Sequence, residues 1–206
     1  MKKYARITGT GSYLPTKVVT NFDLEKTLDT SDEWITARTG IKERRIVTDQ
    51  NTCDLALEAS IKALSMAKLK PEEIDLIILS TTTPDKIFPA TATMLQNRLG
   101  ASCPAFDLQA VCAGFVFALT TAQQYIENGS AKNILVVGSE TMSKIVDWND
   151  RSTAILFADG AGAVVLSADN TTGIKHSKLF SDGSYLSSLH VNNNGIDELG
   201  TIQMEG

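Results

Sequence analysis

Short apolar runs alternate with helix-like segments through the middle of the chain, and this alternation restricts the possible folds more than any other feature. The strand-like runs cover residues 74–80 (IDLIILS), 105–108 (AFDL) and 134–138 (ILVVG). Each is too uniformly apolar to keep one face in water, so each predicts a buried, parallel strand. Three helix-like segments separate or flank these runs, at 54–68, 90–99 and 112–128. The pattern predicts right-handed crossovers that cover both faces of a mixed or parallel sheet, an α/β layered architecture.

The two ends of the chain are less regular. The weaker predictions are helices at 21–28 and 32–38, a strand at 161–167, and irregular strand and loop at 173–191. Ser31 is a typical N-cap for the second of these helices, and Asp159 with Gly160 indicates a turn before the strand. The last stretch, 192–206, is polar and punctuated by glycine, so we expect an open tail that belongs to a longer protein.

The composition excludes several classes of protein. The 206 residues are 43% hydrophobic and carry a net charge of −5, which argues against a general nucleic-acid binder. The start of the chain lacks the apolar segment of a signal peptide, and no apolar run approaches the roughly 20 residues that span a bilayer. Three cysteines and two histidines are too few for a disulfide framework or a zinc site. We therefore expect a cytoplasmic protein that binds no metal, nucleic acid or membrane.

Cys112 lies between the strand-like run 105–108 and an apolar helix-like segment, and two interpretations of it are open. A strand, a tight connection and a nucleophile on the opening turn of a helix form a nucleophile elbow. There the free helix amides and the helix dipole favour a thiolate, and the Cys112 amide can donate to an oxyanion. The alternative is a small buried hydrophobic residue, the commonest state of a free cysteine. Ala113 and Gly114, directly after Cys112, favour the nucleophile.

Two glycine-rich stretches raise the possibility of a nucleotide-binding loop. Residues 9–11 (GTG) lack the third glycine and the following helix, and residues 159–162 (DGAG) precede a strand instead of a helix. Neither stretch fits a dinucleotide fingerprint, so a Rossmann dehydrogenase is excluded. Both stretches are interpreted as tight turns where backbones approach closely.

Four motifs carry a resemblance to a known family: 30–45 (TSDEWITARTGIKERR), 107–119 (DLQAVCAGFVFAL), 136–140 (VVGSE) and 147–166 (DWNDRSTAILFADGAGAVVL). With them the chain resembles β-ketoacyl-acyl-carrier-protein synthase III, a family of thiolase-fold condensing enzymes. The resemblance implies a thiolase-like layered fold, αβαβα, of which this chain holds the first βαβαβαββ repeat. It also implies a thiolase-like half at 1–170 and, at 171–206, a connecting segment toward a C-terminal half.

The resemblance implies that Cys112 is the catalytic nucleophile of an acyltransferase that initiates type II fatty acid biosynthesis. Cys112 would take an acetyl group from acetyl-CoA, and the acyl-enzyme would condense with malonyl-acyl-carrier-protein to give acetoacetyl-acyl-carrier-protein. Coenzyme A thioester is a substrate here, so no separate cofactor is expected. The family's catalytic histidine and asparagine lie in the second half of the fold, and His176 and His190 match neither. We therefore expect this chain alone to lack condensing activity, and Glu140 to be a structural or interface residue.

The family's binding site for coenzyme A falls on two of the four motifs. Trp34 and Arg151 are expected to hold the adenine between an indole and a guanidinium, which offer two flat polarisable faces. Thr30 and Arg38 are expected close to the nucleotide. Ser152 supplies a small side chain, so that the backbone can approach the ligand.

The chain has one positive cluster, formed by Arg38, Lys42, Arg44 and Arg45. The cluster is either a solvated face or a surface that attracts the phosphates of coenzyme A or the acidic carrier protein.

Several apolar positions match the family's acyl pocket: Met142, Phe157, Leu189 and Ile202. Phe88 matches a residue that reaches across a homodimer to close the partner's pocket. Core packing and pocket lining follow the same physics, so the sequence does not decide which primer the pocket accepts. Two other functions stay open: a related thiolase-fold synthase that uses another primer, and a non-catalytic truncated module that binds coenzyme A or pairs with intact subunits.

Overall fold

A computed structural model describes residues 3–193 and 199–205 of the chain. In chain order, its elements are β1 (Tyr4–Tyr13), β2 (Lys17–Thr20), α1 (Asn21–Leu24), α2 (Asp32–Thr39), β3 (Glu43–Ile46), α3 (Thr52–Ala67), β4 (Leu76–Ser80), α4 (Thr91–Leu99), β5 (Ala105–Leu108), α5 (Gly114–Glu127), β6 (Asn133–Thr141), α6 (Arg151–Ala154), β7 (Asp159–Asp169), β8 (Leu189–Asn193) and β9 (Leu199–Met204). No helix among the described residues is both long enough and apolar enough to cross a membrane.

The described residues divide into two compact units. Unit 1 is drawn from segments 3–14, 49–140 and 160–179, and unit 2 from 15–48, 141–159, 180–193 and 199–205. The resemblance implies a different division, at residue 170, between a thiolase-like half and a segment that leads to a second half of the family's fold. This division stays a prediction.

Unit 1 is built on a five-stranded mixed sheet with the strand order β1-β7-β6-β4-β5. β4 runs parallel to both β5 and β6, and β1 is antiparallel to β7. All five residues of β4 are buried, because the strand is covered on both faces of the sheet. A strand in this position is expected to be mostly apolar. The sequence predicts these three strands as buried and parallel. The structure confirms that they are parallel, with β6 longer at its end than the predicted 134–138, but β5, the last strand in the order, is only partly buried.

Helix α3 packs directly on β1, and two glycines make the approach possible. A Cβ atom on Gly9 would lie 2.2 Å from the carbonyl oxygen of Ala63, and one on Gly11 would lie 2.1 Å from that of Ala59. Only glycine leaves room for the helix backbone at these points. The prediction of a tight turn at residues 9–11 was wrong, because both glycines lie inside a strand, but the close backbone approach is confirmed.

One apolar core of unit 1 lies between this sheet and α5. Its fully buried members include Ile78, Val136 and Leu166 from the strands, and Ala122 and Ile126 from α5. Burying each large aliphatic side chain stabilises the folded state by about 1.5–3 kcal/mol. β5 and α5 are the two elements on either side of Cys112, and this core holds the end of β5 and the start of α5 in fixed positions.

Unit 2 contains two pairs of antiparallel strands, β2 with β3 and β8 with β9, together with the short helices α1, α2 and α6. Its buried cluster includes Leu24, Ile35 and Ile155. As predicted, Ser31 caps α2 by accepting a hydrogen bond from the Trp34 amide at 3.1 Å. The left-handed residue Gly40 ends the helix.

Several predictions at the ends of the chain need correction. The sequence did not reveal β1, the antiparallel pair β2–β3 or α6, and the predicted helix 21–28 is only the four-residue α1 followed by turns. Asp159 and Gly160 belong to β7 and do not form a separate turn. The expected open tail contains β9, which pairs with β8 and buries Ile202; residues 194–198 and 206 of that stretch lie outside the described residues.

Candidate functional site

Cys112 lies in a single 3₁₀ turn, Val111–Ala113, between the end of β5 and the start of α5. The amide of Ala113 donates to the carbonyl of Ala110 at 3.1 Å, which closes the turn. The predicted helix start at Cys112 was therefore wrong by two residues, because the backbone becomes α-helical only at Gly114. Cys112 is exposed, which excludes the interpretation of it as a buried core residue.

The backbone before Cys112 is strained. Val111 has a φ of +50°, a left-handed conformation that is an outlier for a β-branched side chain and costs about 1–3 kcal/mol. Strain of this kind persists only where the surrounding structure over-determines it, and it is concentrated at functional sites. Here the turn presents the Cys112 side chain to solvent directly before a helix, which is the arrangement expected of a nucleophile elbow.

The first residue of α5 is pressed against the end of β4. A Cβ atom on Gly114 would lie 2.1 Å from Oγ of Ser80. Gly114 and Ser80 are both buried, so a larger residue at position 114 would push either the serine or the Cys112 turn out of place. Gly114, two residues after Cys112, therefore has a packing role that the sequence alone does not explain.

Glu140 acts as an anchor for the loop that follows β4. Its carboxylate accepts hydrogen bonds from the backbone amides of Thr82 at 2.8 Å and Thr83 at 3.1 Å. It also accepts from the hydroxyls of Thr81, Thr82 and Thr83. A carboxylate held by this many donors on one loop orders that loop, which is the structural role that the sequence favours.

The two other cysteines differ from Cys112 in exposure and chemistry. Cys53 and Cys103 are both buried, and burial raises the pKa of each thiol. A raised pKa keeps these thiols protonated near neutral pH, and the protonated thiol is not the nucleophilic form. Of the three cysteines, Cys112 is the one that is exposed to solvent.

In unit 2, the predicted coenzyme A residues Trp34, Arg38 and Arg151 meet at one place. The guanidinium carbon of Arg38 lies 4.7 Å from the centroid of the Trp34 ring, and that of Arg151 lies 4.8 Å from it. Arg151 also donates from Nη1 to the carbonyl of Asp29 at 2.8 Å. These distances are typical of cation–π contacts, and they bring two positive charges to one indole.

Thr30 and Ser152 lie in the adjoining segments of unit 2. The Thr30 hydroxyl oxygen is buried and has no hydrogen-bond partner within the described ranges 3–193 and 199–205. The Ser152 hydroxyl donates to the carboxylate of Asp150 at 2.7 Å, and the Ser152 amide donates to the same carboxylate at 2.9 Å. Asp150 is thus the N-cap residue of α6, and Ser152 is held against it through its amide and hydroxyl, a contact that the prediction of a small residue near the ligand did not include.

Comparison with known proteins places this geometry in a family. A model described as 3-oxoacyl-[acyl-carrier-protein (ACP)] synthase III matches residues 106–183. A protein from Vesicomyosocius okutanii named β-ketoacyl-[acyl-carrier-protein] synthase III is 67% identical over 206 residues, which are 100% of this chain and 66% of that protein. The protein of the same name from Neisseria meningitidis serogroup A is 62% identical over 192 residues, which are 92% of this chain and 60% of that protein.

The chain belongs to the β-ketoacyl-acyl-carrier-protein synthase III family. The crystal structure of 3-oxoacyl-[acyl-carrier-protein] synthase III from Aquifex aeolicus has a TM-score of 0.92 at 50% identity, covering 98% of this chain and 64% of that one. The corresponding Pseudomonas aeruginosa structure has a TM-score of 0.90 at 40% identity, covering 100% of this chain and 64% of that one. The expected α/β fold of the thiolase type is thus confirmed. The chain spans less than two thirds of the length of these relatives.

The apolar residues that match the synthase family's acyl pocket lie in different surroundings. Met142 and Phe157 are partly buried and pack against the apolar cluster of unit 2, and Ile202 is a buried member of that cluster. Leu189 is more exposed, and Phe88, in unit 1, is 82% exposed. Their assignment to a pocket stays a prediction.

The positive cluster is not one surface, and this prediction needs correction. Arg44 is only 3% exposed, because β3 turns its side chain into unit 2, where it donates three hydrogen bonds to oxygen atoms. Arg45 is paired with Glu43 of the same strand at 3.1 Å. Arg38 lies over the ring of Trp34, and its place near a nucleotide stays a prediction.

Both histidines are among the described residues, and neither was expected to be catalytic. His176 is exposed, and Nδ1 of His190 lies 3.2 Å from the carbonyl oxygen of Ser187. Within the described part of the chain, no three or more His, Cys, Asp or Glu side chains are grouped so that they could hold a metal ion.

Proposed function

We propose that Cys112 accepts an acetyl group from acetyl-CoA as the first step of a condensing reaction. The Cys112 thiolate attacks the thioester carbonyl, the bond from that carbonyl to the sulfur of coenzyme A breaks, and coenzyme A leaves as its thiol. The observation that carries the proposal is the exposed thiol on a strained turn directly before α5, in a chain of this family. The step uses no cofactor besides the thioester substrate.

The acyl-enzyme of the complete protein would then condense with malonyl-acyl-carrier-protein. Loss of carbon dioxide from the malonyl group supplies the carbanion that attacks the acetyl thioester, and acetoacetyl-acyl-carrier-protein is released with Cys112 restored as a thiol. The names of the relatives support this reaction, since each is a β-ketoacyl or 3-oxoacyl synthase of the acyl carrier protein. The protein would thereby act as an acyltransferase that initiates fatty acid biosynthesis.

The adenine of coenzyme A would bind at Trp34, with Thr30, Arg38, Arg151 and Ser152 around it. A flat base between two flat groups needs about 7 Å between them, twice the usual contact distance of about 3.5 Å. Arg151 lies 4.8 Å from the ring centroid, so it must swing away from Trp34 to admit the base. The two guanidinium groups also supply positive charge for the phosphates.

The primer is a separate question, for which the comparisons offer a second candidate. A structure titled as the priming β-ketosynthase of the R1128 polyketide pathway has a TM-score of 0.85 at 38% identity. A related synthase that takes a primer other than acetyl is therefore the second candidate. The proposed pocket residues Met142, Phe157, Leu189, Ile202 and, from a partner subunit, Phe88 would determine the choice.

One experiment separates these possibilities. The chain is incubated with acetyl-CoA and, in parallel, with longer and branched acyl-CoA thioesters, and the released coenzyme A is measured before and after malonyl-acyl-carrier-protein is added. For the 206 residues alone, we expect acetyl-CoA to release one equivalent of coenzyme A per protein chain. We expect no acetoacetyl product. A faster release from another thioester would identify another primer. Binding of coenzyme A with no release would contradict the proposal and favour a non-catalytic module.

We also propose that the protein is a cytoplasmic homodimer. Three unpaired thiols suit a reducing compartment. Ile87 and Phe88 expose 81% and 82% of their surface, and adjacent large apolar side chains of this kind are typical of an interface between subunits.

Phe88→Ser is expected to shift the protein from dimer toward monomer, because it removes an exposed aromatic side chain from the proposed interface. The measurement is light scattering after size-exclusion chromatography at several protein concentrations. Phe22→Ser is the control, since Phe22 is 62% exposed on α1 and is not part of the proposed interface. Equal masses for Phe88→Ser and the unchanged protein, both dimeric, would contradict the assignment of Phe88.

A further inference from the structure

Arg44 is buried in unit 2, and its hydrogen bonds go to three different segments. Nη1 donates to the carbonyl of Val19 on β2 at 3.2 Å, and Nη2 donates to Oδ1 of Asn21 at 2.9 Å. Nη2 also donates to the carbonyl of Ile155 at 3.2 Å. Ile155 is the C-cap residue of α6, the helix that begins with Arg151. One guanidinium therefore contacts the strand before α1, the start of α1 and the end of α6.

Asn21 extends this network to α2. The Asn21 side chain is fully buried, and its Nδ2 donates to Oδ1 of Asp32 and to the carbonyl of Ile41, each at 2.8 Å. Asp32 is the first residue of α2, and Trp34 follows two positions later. Asn21 has one side-chain oxygen and one amide group, and the structure uses the oxygen for Arg44 and the amide for α2.

Stability alone does not account for an arginine at this position. The three acceptors of Arg44 are neutral oxygens, and burial lowers the pKa of its guanidinium. A buried charge without an opposite charge beside it is costly, and an apolar side chain of similar size often stabilises such a place better. What arginine adds is a rigid planar fork that holds several acceptors at fixed angles.

We propose that Arg44 is a positioning residue that holds α2 and α6 in the arrangement at which Trp34 and Arg151 can bind the adenine of coenzyme A. The proposal rests on the proposed function, because it assumes that this pair binds the nucleotide. Arg44 reaches α6 directly through Ile155 and α2 through Asn21, so both sides of the binding place depend on one buried group. Arg44 itself contacts no ligand in this account.

The test compares the dissociation constant of coenzyme A for the unchanged chain, Arg44→Lys and Arg44→Met. Lysine keeps the charge and the apolar stem but has no planar fork, so both variants are expected to weaken binding about tenfold or more, because a displaced Trp34 loses its stacking contact with the base. Lys17→Met is the control, because Lys17 is an exposed positive charge on β2, the strand that pairs with β3. Its dissociation constant is expected to stay within about twofold of the original.

Two further measurements distinguish positioning from general damage to the fold. Alkylation of Cys112 by iodoacetamide reports on unit 1 and is expected to proceed at an unchanged rate in the Arg44 variants. In a Trp34→Ala background, Arg44→Lys is expected to add little to the loss of coenzyme A binding, because the contact that Arg44 positions is already gone. Additive losses in the double variant would overturn the proposal.

The remaining outcomes are equally decisive. Binding of coenzyme A by Arg44→Lys and Arg44→Met at the original affinity would overturn the positioning role and leave the proposed function intact. If Arg44→Met does not fold, Arg44→Lys carries the test. If neither folds, Arg44 holds the fold and the proposal is wrong. Failure of the unchanged chain to bind coenzyme A would instead overturn the proposed function.

Discussion

Cys112→Ser is expected to abolish acetyl transfer from acetyl-CoA, with a loss of at least about 10³-fold in the rate of coenzyme A release. A serine hydroxyl stays protonated at neutral pH, and the residues described around position 112 include no general base that contacts it. A cysteine sulfur is intrinsically a better nucleophile than a serine oxygen. The measurement is the single-turnover release of coenzyme A, followed with a thiol-reactive chromophore that is calibrated against the three protein thiols.

Cys103→Ser is the matched control, because it makes the same chemical change at a buried thiol whose pKa is raised by burial. We expect its rate of coenzyme A release to remain within about twofold of the original. A Cys112→Ser variant that kept more than about a tenth of the original rate would show that another group accepts the acetyl. A comparable loss in Cys103→Ser would indicate that substitution damages the fold rather than the nucleophile.

Gly9→Ala is expected to lower the free energy of unfolding of unit 1 by about 3 kcal/mol or more, the largest stability effect that we predict for a single methyl group. The added Cβ would lie 2.2 Å from the carbonyl oxygen of Ala63 and 2.7 Å from the amide of Ala67. Both are backbone atoms of α3, so neither can turn aside as a flexible side chain would. The helix must move away from β1 as a body, and its buried contacts with the strand are lost.

Gly162→Ala provides the control for this effect. Gly162 lies on β7 opposite Ser12 of β1, and a Cβ added there would meet no atom within 4 Å. Alanine in a strand loses less backbone entropy on folding than glycine, so this variant is expected to be neutral or more stable by about 0.5–1 kcal/mol. Urea unfolding followed by circular dichroism compares the two. Equal midpoints for Gly9→Ala and Gly162→Ala would contradict the close packing of α3 on β1.

The fold was predictable where local pattern and burial agree. β4 and β6 are apolar because both faces are covered, and α4 ends at Gly100 in a left-handed conformation as expected. β1 was missed because its sequence, YARITGTGSY, mixes strand-forming residues with glycines that favour turns. These glycines are explained by α3, a partner that is distant in the sequence. Tertiary contact, not local propensity, decides such a segment.

The same distinction applies to the candidate site. The position of Cys112 between a strand and a helix is visible in the sequence, and the structure agrees with its exposure. The strained φ of Val111 has no sequence signal, because valine does not favour this conformation. Arg44 looks like a member of a surface cluster, since the sequence does not show that β3 turns it inward onto Asn21. Alternation along a four-residue strand is too short to reveal which face is buried.

Intact-protein mass spectrometry directly tests whether Cys112 carries an acetyl group. The chain is incubated with acetyl-CoA, its mass is measured, and the modified peptide is mapped. We predict a gain of about 42 Da, one acetyl group in place of one proton, located on the peptide that contains Cys112, removed by hydroxylamine and absent from Cys112→Ser. Folded protein that gains no mass, or that carries the acetyl group elsewhere, would contradict the account.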